Sequence, residues 1–311
     1  MTRRFPFISV IVPTHRRPRQ LAACLEALAS LDYPRDCFEV VVADDGGTVM
    51  PDALAPFSGR INITLVAQTH AGPATARNTG AAKAQGEFLA FTDDDCAPAP
   101  DWLRGFAARF ADSPDQLIGG RTLNALPRDL YATASQSLVD YLYVYYNNVP
   151  GQAVFFTSNN MALPAARFRE VGGFDTSFPL AAGEDRELCD RWLSFGYQMT
   201  YASEIVVNHA HALTLRKFWR QHFNYGRSAL HFHRARARRN HAPVRVEPLS
   251  FYVNLLRHPR ARSESWRAAL PLSMLFAVSQ AANTTGFLYE RLRSPKRTNF
   301  PPEQSKPTFN E

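Results

Sequence analysis

Three consecutive carboxylates, Asp93, Asp94 and Asp95, come almost directly after the apolar run Phe88–Phe91, and this stretch limits the fold more than any other. A buried strand that ends in three acids must end where their charge can be met. Like charges packed this closely repel one another and raise each other's pKa unless a cation sits among them. A site of oxygen ligands favours Mg²⁺ or Mn²⁺. A solvated acidic turn after a strand is the simpler alternative, and the neighbouring segments must separate the two.

Phe7–Val12 is β-branched and apolar on both faces, as a buried parallel strand is, and Pro13-Thr14-His15 closes it. A helix is predicted over 19–30, where Leu21, Cys24, Leu25 and Leu28 repeat at helical spacing. A second apolar run, Phe38–Ala43, ends in Asp44-Asp45-Gly46-Gly47, and a third, Ile61–Ala67, ends near Gln68-Thr69-His70. Strand, helix, strand is how a doubly wound α/β sheet begins, and in such sheets ligands collect beyond the carboxyl ends of the strands. Thr14, Asp44, Asp45 and Asp93 to Asp95 all fall there. Residues 71–86 are rich in small side chains and predict a helix opened by Gly72-Pro73 and stopped by Gly86. It carries Arg77 and Asn78 in its early turns, and a surface ion pair is the ordinary use of such an arginine.

A chain of 311 residues can bury a full core as one large domain or two smaller ones. Its four cysteines, Cys24, Cys37, Cys96 and Cys189, show no paired spacing, so neither a zinc site nor a disulfide framework is indicated and a reducing compartment is the natural reading. The N-terminal apolar run is short and ends in Pro13, which predicts a first strand rather than a signal peptide. The net charge of +7 is unevenly spread: residues 1–211 carry 17 Lys/Arg against 23 Asp/Glu, a balance of −6, and residues 212–311 carry 18 against 5, a balance of +13. Such asymmetry suggests an enzyme domain joined to a tail that meets a polyanion, either a membrane surface or nucleic acid.

The segments VIVPTHRR, VVADDGG, AGPATARNTG and FLAFTDDDC, in this order and spacing, resemble the family 2 glycosyltransferases of the GT-A fold. The resemblance continues through Ser158-Asn159-Asn160-Met161-Ala162-Leu163, Gly172-Gly173-Phe174-Asp175, Gly183-Glu184-Asp185-Arg186-Glu187-Leu188-Cys189 and Asn208-His209-Ala210-His211, so it covers roughly residues 7–211. It implies a Rossmann-like mixed sheet flanked by helices, with a nucleotide-binding half over 1–95 and an acceptor half over 96–211. It also implies a DxD motif that binds a metal and a sugar nucleotide. By the same resemblance Asp95 coordinates Mn²⁺ or Mg²⁺ directly, and Asp93 sits nearer the ribose or the metal's water shell. Asp94 is the variable position and is expected to be a solvated carboxylate at the donor site. Pro13, Thr14 and Arg16 border the donor, Asp44 and Asp45 accept hydrogen bonds from a base or ribose, and Arg77 reaches for the nucleotide. Gly46-Gly47 departs from the family's usual Gly-Ser, which removes a hydroxyl contact without disturbing the turn.

An acceptor hydroxyl must lose its proton as it attacks, so a carboxylate should stand across the sugar from the metal. Glu184-Asp185 is the candidate pair, with Asp185 ahead of Glu184; plain capping of the helix predicted over 186–195 is the alternative. Direct attack inverts the anomeric centre and requires no covalent nucleophile. His209 and His211 follow a β-like run, and alternation along an extended chain points both rings the same way, where either could complete a Mn²⁺ shell or lie idle on the surface. The resemblance also implies Trp102, Ser158, Asn159 and Asn160 as sugar or acceptor contacts. Between them, 131–156 is dense in tyrosine and phenylalanine, suited to sugar stacking, a lipid interface or plain core.

From Leu215 the chain reads as a basic amphipathic helix broken at Gly226, with Phe218, Trp219, Phe223 and Tyr225 among arginines. The processive relatives' Q-x-x-R-W-x-x-G motif keeps only its glycine here, which argues for single transfer rather than polymer extrusion. Residues 268–282 are the most hydrophobic run, but about 15 residues fall short of the roughly 20 that a bilayer core requires. They are expected to form a helix at the membrane interface or packed on the enzyme domain, flanked by Arg257, Arg260, Arg262, Arg267, Arg291 and Arg293, within a basic, helical, membrane-associating region over 212–293, and disorder is expected over 294–311. The expectation is an inverting transferase that passes one sugar from a nucleoside-diphosphate donor, UDP by family frequency, to a glycan or lipid-linked acceptor in envelope glycan or glycolipid synthesis. It would lie at the cytoplasmic face of the membrane, against anionic lipid and without nucleic acid. A nucleotidyltransferase of related fold would want a glycine-rich loop with a lysine after the first strand. A basic nucleic-acid-binding module would leave Asp93 to Asp95 and Glu184-Asp185 without a role.

Overall fold

The computed structural model describes residues 5–149, 151–178, 182–240, 247–262 and 265–293. The chain opens with β1 (Ile8–Thr14), α1 (Pro18–Ala29), β2 (Phe38–Asp45), β3 (Ile63–Gln68), α2 (Pro73–Lys83) and β4 (Phe88–Phe91). Every residue of β1, β2 and β4 is buried, as strands covered on both faces must be. Then follow β5 (Cys96–Pro98), α3 (Trp102–Asp112), β6 (Leu117–Asn124), α4 (Leu130–Tyr146), β7 (Met161–Pro164) and α5 (Ala165–Glu170). The chain continues through α6 (Glu184–Ser194), β8 (Met199–His209), α7 (Leu215–Asn240), α8 (Leu249–Arg262) and α9 (Trp266–Arg293).

The eight strands form one sheet in the order β3-β2-β1-β4-β7-β6-β8-β5. β1 to β4 run parallel, β7 is antiparallel to both β4 and β6, and β5 closes the far edge antiparallel to β8. Apolar side chains on the two faces of the sheet form two clusters, one under α1 and α3 and the other under α2, α5 and α6. The mixed sheet departs from a plain doubly wound pattern at β7, the first strand after the acidic trio to re-enter the centre. Cys24, Cys96 and Cys189 are buried thiols, and Cys37 is half-buried.

Against expectation, α7 is not broken at Gly226. It runs 26 residues, and Gly226 is where it crosses α9. A Cβ at Gly226 would stand 1.9 Å from the Asn283 carbonyl oxygen, and one at Gly286 would stand 2.0 Å from that of Phe223. Two glycines, one from each helix, therefore let the backbones meet, and Arg227 Nε donates to Glu290 Oε2 at 2.7 Å beside them. The hydrophobic run at 268–282 forms the middle of α9, where Phe276, Ser279 and Ala282 are fully buried while Leu270 and Met274 stay exposed. No helix among the described residues is long and apolar enough to cross a membrane. The disorder expected over 294–311 lies outside the described residues.

Helix propensity alone predicts that Gly226→Ala stabilises the protein by about 1 kcal/mol. The crossing predicts the opposite sign, a loss of about 1–3 kcal/mol, because the α7 and α9 backbones must separate. Urea denaturation of the two proteins decides between these signs.

Candidate active site

The parallel register brings the polar strand ends together. β1 pairs Thr14 with Asp44, and β2 pairs Asp45 with Gln68, while β4 stops at Phe91 and releases the acidic trio beside them. Thr14 Oγ1 donates to Asp94 Oδ2 at 2.8 Å, and Arg17 Nη1 reaches Asp94 Oδ1 at 3.1 Å and Asp95 Oδ2 at 3.0 Å. Asp94 is thus a buried carboxylate, 3% exposed, and not the solvated one expected. Burial pushes its pKa up to about 6, against the opposing pull of Arg17 and the Thr14 hydrogen bond. Pro13 is buried in β1, and Arg16, at φ 55°, is exposed. Arg17, which the sequence did not single out, is the arginine that meets Asp94 and Asp95.

Asp44 and Asp45 do not offer the free oxygens expected of base-binding residues. Asp44 is fully buried and accepts from the Val49 N–H at 2.6 Å and from Thr48 Oγ1 at 3.4 Å, which closes the Gly46-Gly47 turn. Asp45 Oδ1 accepts from Gln68 Nε2 (2.8 Å) and the Ala71 N–H (2.7 Å); its Oδ2 accepts from His70 Nδ1 (2.8 Å) and the Gly72 N–H (2.9 Å). Both lone pairs of each oxygen are therefore engaged by the segment that leads into α2. His70 also stacks on His15, with ring centroids 4.2 Å apart.

Pairing of β5 with β8 sets His209 opposite Cys96, and the Ala210 N–H donates to the Asp95 carbonyl at 2.8 Å. His209 Nε2 lies 3.2 Å from Asp95 Oδ1 and His211 Nδ1 lies 3.5 Å from Oδ2. The two rings are 5.1 Å apart on the same side of the strand end, as the alternation of an extended chain predicts. Burial opposes the charge on Asp95, but hydrogen bonds from both histidines and the charge of Arg17 outweigh it and hold its pKa far below the carboxylate range. One ligand atom from each of Asp95, His209 and His211 lies within 4.8 Å of the others, so an oxygen and two nitrogens could hold one divalent ion. This mixed donor set suits Mn²⁺ better than Mg²⁺.

Arg77 is neither a surface ion pair nor a guanidinium free to reach a nucleotide. It is 4% exposed, donates through Nη2 to Asp93 Oδ1 at 2.7 Å and through Nη1 to Glu184 Oε1 at 3.0 Å, and lies over the Phe174 ring. Burial works against its charge, but Asp93 and Glu184 more than compensate, and its pKa is raised. Glu184 and Asp185 occupy the first turn of α6 behind Gly183, whose left-handed φ of 86° turns the chain into the helix. Glu184 is 5% exposed, and its Oε2 has no hydrogen-bond partner among the described residues. Asp185 accepts from the Arg186 N–H at 2.7 Å. Desolvation, with the charge of Glu184 second, raises its pKa to about 7, against the pull of that N–H and of Arg77.

The expected acceptor contacts are not presented to a ligand. Trp102 and Asn160 are both fully buried: Trp102 Nε1 donates to Asn160 Oδ1 at 2.9 Å, and Asn160 Nδ2 donates to the carbonyls of Arg121 (2.9 Å) and Ile205 (3.0 Å). Ser158 and Asn159 are buried beside them, and Asn159 Oδ1 accepts from Thr157 Oγ1 at 2.8 Å and Thr122 Oγ1 at 3.3 Å. These side chains pin the turn before β7 to β6 and β8. In place of them α7 supplies Gln221 and Tyr225. Gln221 Oε1 is 2.9 Å from His211 Nε2, and Gln221 Nε2 is 3.0 Å from Tyr225 Oη. Desolvation, then the charge of Asp185, raises the Tyr225 pKa against the hydrogen bond from Gln221. Only their i, i+4 spacing on one helix face could have hinted at the pair.

Known proteins resemble this chain in sequence and in fold. The family model of Glycosyl transferase family 2 matches residues 9–172. The glycosyltransferase AglE of Haloferax volcanii is 27% identical over 212 residues, which make up 67% of this chain and 68% of AglE. The validoxylamine A glucosyltransferase of Streptomyces hygroscopicus subsp. jinggangensis is 30% identical over 234 residues, 65% of this chain and 55% of that enzyme. Among solved structures, the mannosyltransferase PcManGT of Pyrobaculum calidifontis, in complex with GDP-Man and Mn²⁺, superposes with a TM-score of 0.65 at 22% identity, covering 93% of this chain and 88% of that one. The chain belongs to glycosyl transferase family 2 and has the GT-A fold of nucleotide-sugar transferases.

Proposed function

We propose that the protein transfers a single sugar, with inversion, from a nucleoside-diphosphate sugar to an acceptor hydroxyl, with Mn²⁺ or Mg²⁺ as cofactor. The observation that carries this reading is the convergence of Asp95, His209 and His211 at the strand ends that also present Asp93, which Arg77 of α2 joins to Glu184 at the start of α6. A divalent ion held by Asp95, His209 and His211 would neutralise the charge that gathers on the departing diphosphate. Arg77 joins Asp93 to Glu184 and so holds the two sides of the site at a set separation. Asp185 is the proton acceptor. Its pKa of about 7 makes it basic enough to take the acceptor's proton yet largely ionised above neutrality. That PcManGT binds GDP-Man and Mn²⁺ supports the donor and cofactor classes. UDP remains the nucleotide expected from family frequency. A base that reached Asp45 would take the place of His70, the most exposed of its partners.

The reading extends to a lipid-linked acceptor in envelope glycan or glycolipid synthesis, met at the cytoplasmic face of an anionic membrane. The later turns of α7 are poor candidates for lipid contact, because Arg227 pairs with Glu290, Arg236 with Asp190, and Arg239 with Glu187 and Asp190. α8 and α9 are better placed. Leu249, Val253 and Leu256 form an exposed stripe on α8, and Trp266, Leu270 and Met274 form one on α9. Ser273 Oγ donates to the Leu256 carbonyl, which sets the stripes side by side, with Arg257, Arg260 and Arg267 exposed around them.

Three outcomes are expected. Nucleotide binding, followed by thermal shift with UDP and GDP, should respond to Mn²⁺ in the wild type and lose that response in Asp95→Ala; a retained response removes Asp95 from the metal site. Asp185→Asn should keep nucleotide affinity while turnover falls about a hundredfold or more. Wild-type kcat/KM should also decline as pH drops below about 7, because the base is then protonated; wild-type rates in the variant would return Asp185 to a helix-terminal role. Vesicles of phosphatidylglycerol should sediment the protein, and replacing Arg257, Arg260 and Arg267 together by Gln should weaken this about 100-fold, roughly fivefold per charge. Equal binding to neutral vesicles would remove the electrostatic contact.

A further inference from the structure

Family-level reasoning stops at the last core strand, yet the hydrogen bonds around the candidate metal site continue into α7. His211 faces Asp95 with Nδ1 and Gln221 with Nε2. Gln221 in turn places its amide nitrogen 3.2 Å from Ser135 Oγ on α4 and 3.0 Å from Tyr225 Oη one turn along α7. Both hydroxyls can accept the two amide protons, which leaves Oε1 for His211. With Oε1 as its partner, His211 must keep a proton on Nε2; the hydrogen that Nδ1 donates to Asp95 in the doubly protonated ring is then the one a cation replaces, which leaves the lone pair on Nδ1, the nitrogen turned towards Asp95. The reverse amide orientation would place the proton on Nδ1 and bar His211 from binding a cation. The amide orientation therefore decides whether His211 can be a ligand at all.

We propose that Gln221 is a positioning residue for the metal site: it fixes His211 in the Nε2–H tautomer and aims Nδ1 at a divalent cation shared with Asp95. The inference rests on the reading of Asp95, His209 and His211 as ligands. Partners of this kind orient a ligating imidazole and set its tautomer, and their loss weakens metal binding by about 10–100-fold. It follows that α7 belongs to the active site. The same glutamine connects the metal side to Tyr225, one turn further along α7.

The test uses the full chain and Mn²⁺ alone. Free Mn²⁺ is titrated by electron paramagnetic resonance in wild type, Gln221→Leu, Gln221→Glu and Asp95→Ala, with a thermal melt of each as a check on folding. Proton–nitrogen correlation spectra of the imidazoles in the metal-free wild type, recorded where the rings are neutral, report the His211 tautomer. Gln221→Leu should bind Mn²⁺ about 10–100-fold more weakly, and Gln221→Glu, which keeps an acceptor oxygen in place, should return close to wild type. His211 should carry its proton on Nε2. Unchanged Mn²⁺ affinity in Gln221→Leu while Asp95→Ala loses binding would overturn the role of Gln221 alone, and a proton on Nδ1 would do the same. Unchanged affinity in Asp95→Ala would overturn the metal-site reading, and this inference with it. Were Gln221→Leu to misfold, the tautomer and the Gln221→Glu affinity still decide the matter.

Discussion

The site depends on one buried cation. Arg77 comes from α2, which packs on β1, β2 and β3, and it bridges Asp93, just past β4, to Glu184, at the start of α6. A guanidinium is suited to this because its planar fork can serve two carboxylates at once, and it stays charged when buried. Leaving either acid in place without Arg77 would strand a buried negative charge, and breaking a pair of this kind costs about 3–5 kcal/mol. The small residues around it, Ala74, Ala76, Gly80 and Ala81, let α2 lie close on β1 and β2, so Arg77 is delivered at a defined depth. A Cβ at Gly80 would come 2.7 Å from Ile11, a measure of how close that approach is.

Around this bridge the remaining charges fall into place by sheet topology. Arg17 covers Asp94 and Asp95 from the β1 side, and His209 and His211 approach Asp95 from β8. The three acids thus have three different environments. Asp93 is held by Arg77, Asp94 is buried beneath Thr14 and Arg17, and Asp95 stands between a cation and two imidazoles. Burial raises the pKa of Asp94, while the partners of Asp95 lower its own despite burial. Identical residues side by side acquire separate chemistry because their neighbours come from different strands.

The C-terminal helices share in this construction. α7 and α9 meet backbone to backbone at Gly226 and Gly286, and Arg239 on α7 reaches back to Glu187 and Asp190 on α6, the helix that carries Asp185. The basic composition of the tail is in part the complement of acids on the catalytic half. That complementarity cannot be read from net charge, which counts arginines without regard to whether an acid from another segment faces them.

Much of the architecture was legible in local pattern. The apolar runs that became β1, β2 and β4, the helical repeat of Leu21, Cys24, Leu25 and Leu28, and the polar strand ends all follow from period and from turn chemistry, which act over a few residues. The ordered set of motifs also determined the family. Which polar residues are free to act was decided only in three dimensions. Trp102 and Asn160 have the composition of a binding surface but are bonded to each other and to the carbonyls of β6 and β8. Asp44 and Asp45 are taken up by their own turn and by the segment that leads into α2. Arg16 and Arg17 are indistinguishable as letters, and Gln221 is one polar residue in a basic helix. A sequence determines which groups can donate, accept or ionise, whereas partners distant in the chain determine whether that capacity is already used, because desolvation and hydrogen-bond saturation belong to the packed structure and not to the residue.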